Sequence, residues 1–283
     1  KVNYTELLKN SASKNSSIVC MGLDPLLDEI PITLSTRRDT IVSFYEGILN
    51  KIVQRGVLPS AVKPNFAYYA QYGVEGIEAL VSLIHTFSGS GIPVILDVKR
   101  GDIGTTAAAY SRESFDFYKA DAVTLSPFLG IDAIAPFMEL YPDKGYYILN
   151  KTSNRSSFEI QDLIVDSDPL YAHVSKKIVE WHRPGMGAVV GATYPEQLSL
   201  ISEIFMESGR EIPLLIPGVG AQGGSVDEVC AVLSRYPDPR IHRINSSSAI
   251  NYAYKNRKGM RFDEAAAEAL ALLTDEINRS LGL

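Results

Sequence analysis

Asp97, Lys99 and Asp102 follow one another closely at the end of an apolar, β-branched run, Pro93-Val94-Ile95-Leu96. Side chains alternate across a strand, so a strand over 94–99 sends Asp97 and Lys99 to the same side. Asp102 then lies one short turn further on. Charges of alternating sign are costly to gather at the mouth of an apolar strand. Two unit charges about 4 Å apart interact by about 4 kcal/mol at an effective dielectric near 20. Such a cluster can serve as a fixed field for charge that develops in a bound molecule. Taken alone, the pattern also fits an ordinary ion pair at a strand terminus.

The elements that must hold these charges are short apolar runs with helical stretches between them. Strands are expected at 18–23, 61–63, 94–99, 122–125, 146–150, 188–192, 214–216 and 241–245. Ile41, Phe44, Tyr45, Ile48, Leu49 and Ile52 form one helical apolar face, and Ile77, Leu80, Val81 and Ile84 another. A last helix runs from Glu264 to about Leu281, with Asp263 as its N-cap. Most strand candidates are continuously apolar, the pattern of a parallel sheet covered by helices on its outer face. Eight βα units in 283 residues predict an α/β fold, a (β/α)8 TIM barrel forming a single domain over 1–283. The connection over 151–170, rich in Ser, Asn and Asp, reads as a loop that covers the mouth.

Catalytic groups of such barrels sit at the carboxyl ends of the strands. Those ends carry, in order, Asp24, Lys63, then Asp97, Lys99 and Asp102, then Ser126, and finally residues 217–224. All fall on one rim. The last segment, Pro217-Gly218-Val219-Gly220-Ala221-Gln222-Gly223-Gly224, contains G-x-G-x-x-G. That spacing suggests a dinucleotide fold only where a long βαβ unit follows, and here only about sixty residues remain. After a seventh strand it instead occupies the usual phosphate position of a barrel, where backbone N–H groups meet an anion.

With net charge −6 and no basic run, nucleic acid and anionic membranes are poor partners, and an anionic ligand must be met by local positive charge. Cys20 and Cys230 lie in apolar surroundings and read as core thiols of a reducing compartment. No run approaches eighteen uncharged apolar residues, and no signal-peptide pattern opens the chain, so a cytoplasmic location is expected. The four histidines show no metal-ligand spacing, and no metal site is expected.

The run Asp97-Val98-Lys99-Arg100-Gly101-Asp102-Ile103-Gly104-Thr105-Thr106 resembles the D-x-K-x-x-D-I-x-x-T signature of the orotidine 5′-monophosphate decarboxylase family. Gly22-Leu23-Asp24-Pro25, Val62-Lys63-Pro64-Asn65-Phe66 and the glycine-rich segment follow the family's order. The chain length and Lys151-Thr152-Ser153-Asn154 resemble its longer bacterial branch. The resemblance implies cofactor-independent decarboxylation of orotidylate to uridylate, a step of pyrimidine biosynthesis. It casts Lys99 as the ammonium that stabilises the carbanion and then protonates it, with Asp97 and Lys63 completing a charged row. It places Asp102 and Thr106 across the interface of a homodimer, each serving the partner's site. It assigns Asp24 to a ribose hydroxyl, Ser126 to the pyrimidine edge, Gln222 to a bridge between base and phosphate, and Gly218, Gly220 and Gly223 to the phosphate loop.

One position departs from the family pattern. Where N-x-S-R-x-I is expected after the eighth strand, the chain reads Asn245-Ser246-Ser247-Ser248-Ala249-Ile250, so Ser248 stands at the phosphate-binding arginine. Arg243, five residues earlier, is roughly 16 Å away along an extended strand. Weakened phosphate binding is therefore expected. Two alternatives remain open on the residues: a magnesium-dependent sugar-phosphate lyase sharing D-x-K-x-x-D, and a non-catalytic barrel that binds a phosphorylated metabolite.

Overall fold

The computed structural model describes residues 2–220 and 223–282. Its strands are β1 (Val19–Leu23), β2 (Ala61–Pro64), β3 (Ile95–Arg100), β4 (Ala122–Leu125), β5 (Gly145–Leu149), β6 (Met186–Val189), β7 (Leu214–Pro217) and β8 (Arg243–Ser246). They pair in parallel in the order β2-β1-β8-β7-β6-β5-β4-β3. Isolated bridges from Val62 to Val94 and from Asn65 to Asp97 join the two ends of that order and close the barrel.

The continuously apolar strands behave as a doubly buried sheet must. On β1, Val19 and Met21 pack into the large cluster that faces the surrounding helices, while Cys20 belongs to a second, smaller cluster. That second cluster joins Ala61, Ile95, Ala122, Tyr147 and Leu215 to Tyr4 and Leu8, so the helix Tyr4–Asn15 closes the amino-terminal end of the barrel. Arg243, at the first position of β8, lies fully buried in this floor. Its guanidinium donates to the carbonyls of Arg240, His242 and Leu8 at 2.8, 2.7 and 2.6 Å. Both cysteines are buried and free. Among the described residues, no helix is long and apolar enough to cross a membrane.

Local differences from the sequence reading have physical causes. The sixth strand begins at Met186, before the expected 188–192, and takes in Gly187, where only glycine fits beside the chain entering β7. A Cβ there would lie 2.4 Å from the Pro213 carbonyl oxygen, which accepts the sheet hydrogen bond from the Ala188 N–H. Ile241 closes a 3-10 turn, Pro239–Ile241, so β8 starts at Arg243. Asp263 is not the N-cap of the last helix. The helix is Phe262–Leu281, capped by Arg261, and Asp263 accepts the Glu264 N–H within the first turn. On the helix Gly73–Gly89 the buried face centres on Leu80, Leu83, Ile84 and Phe87, leaving Ile77 and Val81 half-buried. The 151–170 connection carries a short helix, Phe158–Gln161, and a hairpin pairing Ile164–Val165 with Asp168–Pro169.

A methyl group at residue 187 must push apart two strands of a closed sheet, and overpacking of that kind costs about 2 kcal/mol. Gly187→Ala should lower the urea unfolding midpoint accordingly, with an unchanged m value. A midpoint equal to wild type would contradict the packing described.

Candidate active site

Three adjacent strands bring together the charges at the barrel mouth. Lys63 near the end of β2 donates from Nζ to Asp97 Oδ2 at 2.8 Å, and Lys99 donates to Asp97 Oδ1 at 2.6 Å. The Thr124 hydroxyl, on β4, adds a third bond to Asp97 Oδ1 at 2.9 Å. Lys63 and Asp97 are buried, with side chains only 7% and 8% accessible, whereas the Lys99 side chain is 49% accessible. Lys99 is thus the member of the row whose ammonium can meet a ligand.

The backbone beneath this row departs from regular β structure. Pairing between β3 and β4 shifts register between Leu96 and Arg100, and Lys99 holds a left-handed φ of +47°. A non-glycine residue there is strained by about 1–3 kcal/mol and must be held by its surroundings. Thr124 does so, because its hydroxyl accepts the N–H groups of both Val98 and Lys99, at 3.1 and 2.9 Å. Asp97 and Lys99 therefore meet as strand alternation suggests, but through an irregular strand end pinned by a neighbouring threonine.

The electrostatics of the buried pair are decided by its partners. Burial pushes the Asp97 carboxyl up, but the charges of Lys63 and Lys99 and their hydrogen bonds outweigh it and hold the group well below the carboxylate range. Burial likewise lowers Lys63, and the negative charges of Asp97 and Asp24 more than reverse it, leaving the ammonium above its ordinary range. Both groups stay ionised across neutral pH.

Lys99 opens into a cavity of about 470 Å³ lined also by Lys63, Asp97, Thr152, Ser153 and Gln161. Lys63 and Pro217 line in addition a second cavity of about 220 Å³, which holds Asp24, Asn65, Gly218, Ser247 and Ser248. The two adjoin at Lys63 and Pro217. Asp24 Oδ1 is buried there with no hydrogen-bond partner among the described residues, an acceptor left for a ligand hydroxyl. The glycine loop carries positive φ at Gly218, Gly220 and Gly223, which favours glycine at each. It directs the N–H groups of Gly220, Gly223 and Gly224 to its own carbonyls, so internal closure occupies those three amides. Gln222 lies outside the described residues.

The remaining expected residues are placed apart from Lys99. The Asp102 carboxylate accepts its neighbour Ile103 N–H at 2.8 Å and, among the described residues, forms no ion pair with Lys99 of its own chain. Thr106 is exposed on the helix Gly104–Arg112. Ser126 lines a neighbouring cavity with Asn150, Gln161 and Tyr171, and its N–H donates to the Arg100 carbonyl. Ser248 opens the four-residue helix Ser248–Asn251 and is exposed, while Arg243 is committed to the floor. Thr124 and Gln161 carry no sequence expectation, and Thr152 and Ser153 enter the sequence analysis only through the Lys151–Asn154 segment, with no site role. A lone threonine inside the apolar run Ala122–Leu125 was the available signal for the first.

A parallel (β/α)8 barrel with a lysine–aspartate–lysine row beside a post-β7 glycine loop defines a class of barrel enzymes acting on phosphorylated small molecules. Within that class, the sequence profile of the orotidine 5′-phosphate decarboxylase / HUMPS family matches residues 17–232, and the chain belongs to that family. It is 41% identical over 282 residues to the orotidine 5′-phosphate decarboxylase of Cupriavidus taiwanensis, covering 98% of each chain. The enzyme of that name from Ralstonia pickettii is 40% identical over 281 residues, with 98% of this chain and 99% of that one covered. The structure of Leishmania donovani OMP decarboxylase superposes with a TM-score of 0.81 at 30% identity, covering 100% of both chains.

The depressed Asp97 carboxyl contributes stability that is present above the ordinary carboxylate range, near pH 4, and is lost as pH falls through the folded-state value. Removing one partner of a buried pair costs about 3 kcal/mol or more. Asp97→Asn should therefore be destabilised near pH 6, with the gap to wild type narrowing as pH is lowered through about 4 toward 3. A gap independent of pH over that window would contradict the assignment.

Proposed function

We propose that this chain decarboxylates orotidine 5′-monophosphate to uridine 5′-monophosphate, with Lys99 as the group that meets the reacting carbon. The observation that carries this reading is the Lys63–Asp97–Lys99 row, in which two ammoniums share one buried carboxylate and Lys99 is the half-exposed member at the larger cavity. Breaking the bond between C6 and the carboxylate leaves its electron pair on C6 as CO2 departs. A fixed ammonium beside C6 stabilises that charge as it develops, with no solvent to reorganise. Lys99 then gives its proton to C6 and recovers one from water. Asp97 keeps Lys99 charged and repels the substrate carboxylate that must leave.

Asp24, with its unspent oxygen, fits a ribose hydroxyl. Gly218 and Ser248 line the smaller cavity, where the phosphate is best accommodated, with Gly220 and Gly223 in the same loop as Gly218; the resemblance assigns Gln222 a bridge between base and phosphate. For the pyrimidine edge, Thr152 and Ser153 replace Ser126, because they share the cavity of Lys99 and Ser126 does not. A divalent ion at Asp97 is disfavoured by the two ammoniums and the hydroxyl that already occupy its oxygens.

Among the described residues, Asp97 is the carboxylate paired with Lys99, and a second one is wanted on its far side. Asp102 and Thr106 fit that place when supplied by a second copy, and Ile103, next in sequence to Asp102, and Phe128 expose 51% and 85% of their surface, as apolar residues of an interface do. The chain thus acts as a homodimer in the cytoplasm, where its two buried thiols stay reduced.

Lys99→Ala and Asp102→Ala should each lose at least about 10³-fold in turnover. Mixed and allowed to exchange subunits, they should regain about one quarter of wild-type activity, because half the dimers carry one intact site of two. EDTA should leave wild-type turnover unchanged. Failure of the mixture to recover would rule out the shared site, and loss of activity in EDTA would point to the metal-dependent lyase. At the phosphate end, Ser248→Arg should lower KM about tenfold through a charge-assisted contact, with little change in kcat. An unaltered KM would show that residue 248 does not meet the phosphate.

A further inference from the structure

Lys151 is a buried cation that the chemistry above does not use. It is 0% accessible, and its Nζ donates to Asp162 Oδ1 at 2.6 Å. The same nitrogen lies 4.6 Å from the Tyr194 ring centroid and 5.9 Å from that of Tyr171. It therefore ties three segments together: the end of β5, the helix-bearing connection that holds Asp162, and the turn after β6 that holds Tyr194.

What those ties enclose is the polar wall of the Lys99 cavity. The Thr152 N–H donates to Gln161 Oε1 at 2.9 Å, and Gln161 Nε2 returns a bond to the Thr152 hydroxyl at 2.8 Å. That hydroxyl donates in turn to Asn154 Oδ1 at 2.6 Å. Behind the wall, the Gly191 N–H donates to the Lys151 carbonyl at 2.7 Å, and a Cβ at Gly191 would lie 2.7 Å from Ser153 Cα. The wall thus rests directly on backbone on one side. On the other it hangs on the Lys151–Asp162 pair, next in sequence to Thr152 and Gln161.

We propose that Lys151 is a positioning residue: its ion pair with Asp162 clamps the Thr152–Gln161 wall over the cavity, setting how the base of the nucleotide is held against Lys99. The inference rests on the proposed decarboxylase reading, in which the base lies in this cavity and the phosphate in the smaller one. A loosened wall costs both base binding and alignment, and misplacement of about 1 Å can cost orders of magnitude in rate. The phosphate end touches none of these residues and is untouched by the clamp.

The two ends of the nucleotide supply the test. Uridine 5′-monophosphate carries base and phosphate, whereas ribose 5-phosphate lacks the base. In calorimetric titrations, Asp162→Ala should weaken uridine monophosphate about tenfold and leave ribose 5-phosphate within about twofold, with kcat falling alongside. Asp162→Glu should restore much of the loss, and Lys151→Met combined with Asp162→Ala should lose little beyond either alone. Asp162→Ala leaves the buried Lys151 ammonium unpaired, a cost to folding that the double variant removes, so the same contrast between the two ligands is read on the double variant should the single one unfold. Equal weakening of both ligands, or no weakening of either, would overturn the proposal. Wild-type protein that binds the two ligands equally would instead overturn the placement of the base.

Discussion

A single carboxylate, Asp97, accepts from two ammoniums and a hydroxyl, and the mouth of the barrel is organised around that convergence. Lys63 is not tolerable there without it. Lys63 is buried, and an unpaired ammonium in such a place carries a desolvation cost of several kcal/mol. The barrel makes the convergence possible by placing the ends of β2, β3 and β4 side by side. The register shift in β3 then turns Lys99 toward the cavity while its nitrogen still reaches Asp97. Thr124 links the strain at Lys99 to the charge on Asp97, because one hydroxyl serves both.

From this point the site extends in two directions with different physics. Toward Thr152, Ser153 and Gln161 it is a walled cavity of neutral hydrogen-bonding groups, suited to the edge of a base. Toward Asp24, Gly218 and Ser248 it narrows against a glycine loop in a chain of net charge −6. An anion there depends on local donors, yet three loop amides are internally occupied and serine stands at the family's arginine position. Arg243 offers no substitute, being fixed to three carbonyls in the barrel floor. The charged row is well supplied with hydrogen bonds, and the end against the glycine loop is the lean part of the site.

Much of this was legible in the sequence because it depends on local chain geometry. Apolar runs spaced by amphipathic helices give eight parallel strands, and a charge cluster ending one run marks the catalytic rim. Two features were not legible there: the close approach of the Pro213 carbonyl that requires glycine at 187, and the 3-10 turn Pro239–Ile241 that delays β8 to Arg243. Asp97 and Lys99 were found by alternation, although the strand is irregular there. The resemblance assigns Ser126 to the pyrimidine edge; in the structure Ser126 lines a neighbouring cavity, and the loop after β5 brings Thr152 and Ser153 to the cavity of Lys99. Which of two neighbouring loops reaches inward is decided by the Lys151–Asp162 pair and the close approach at Gly191, neither visible in local pattern.

The decisive measurement is a crystal structure of the chain with uridine 5′-monophosphate bound. The account requires Nζ of Lys99 to lie about 3–3.5 Å from C6 of the base, still bonded to Asp97. A lysine 99 amine turned away from the pyrimidine ring, or a base seated beside Ser126, would contradict it.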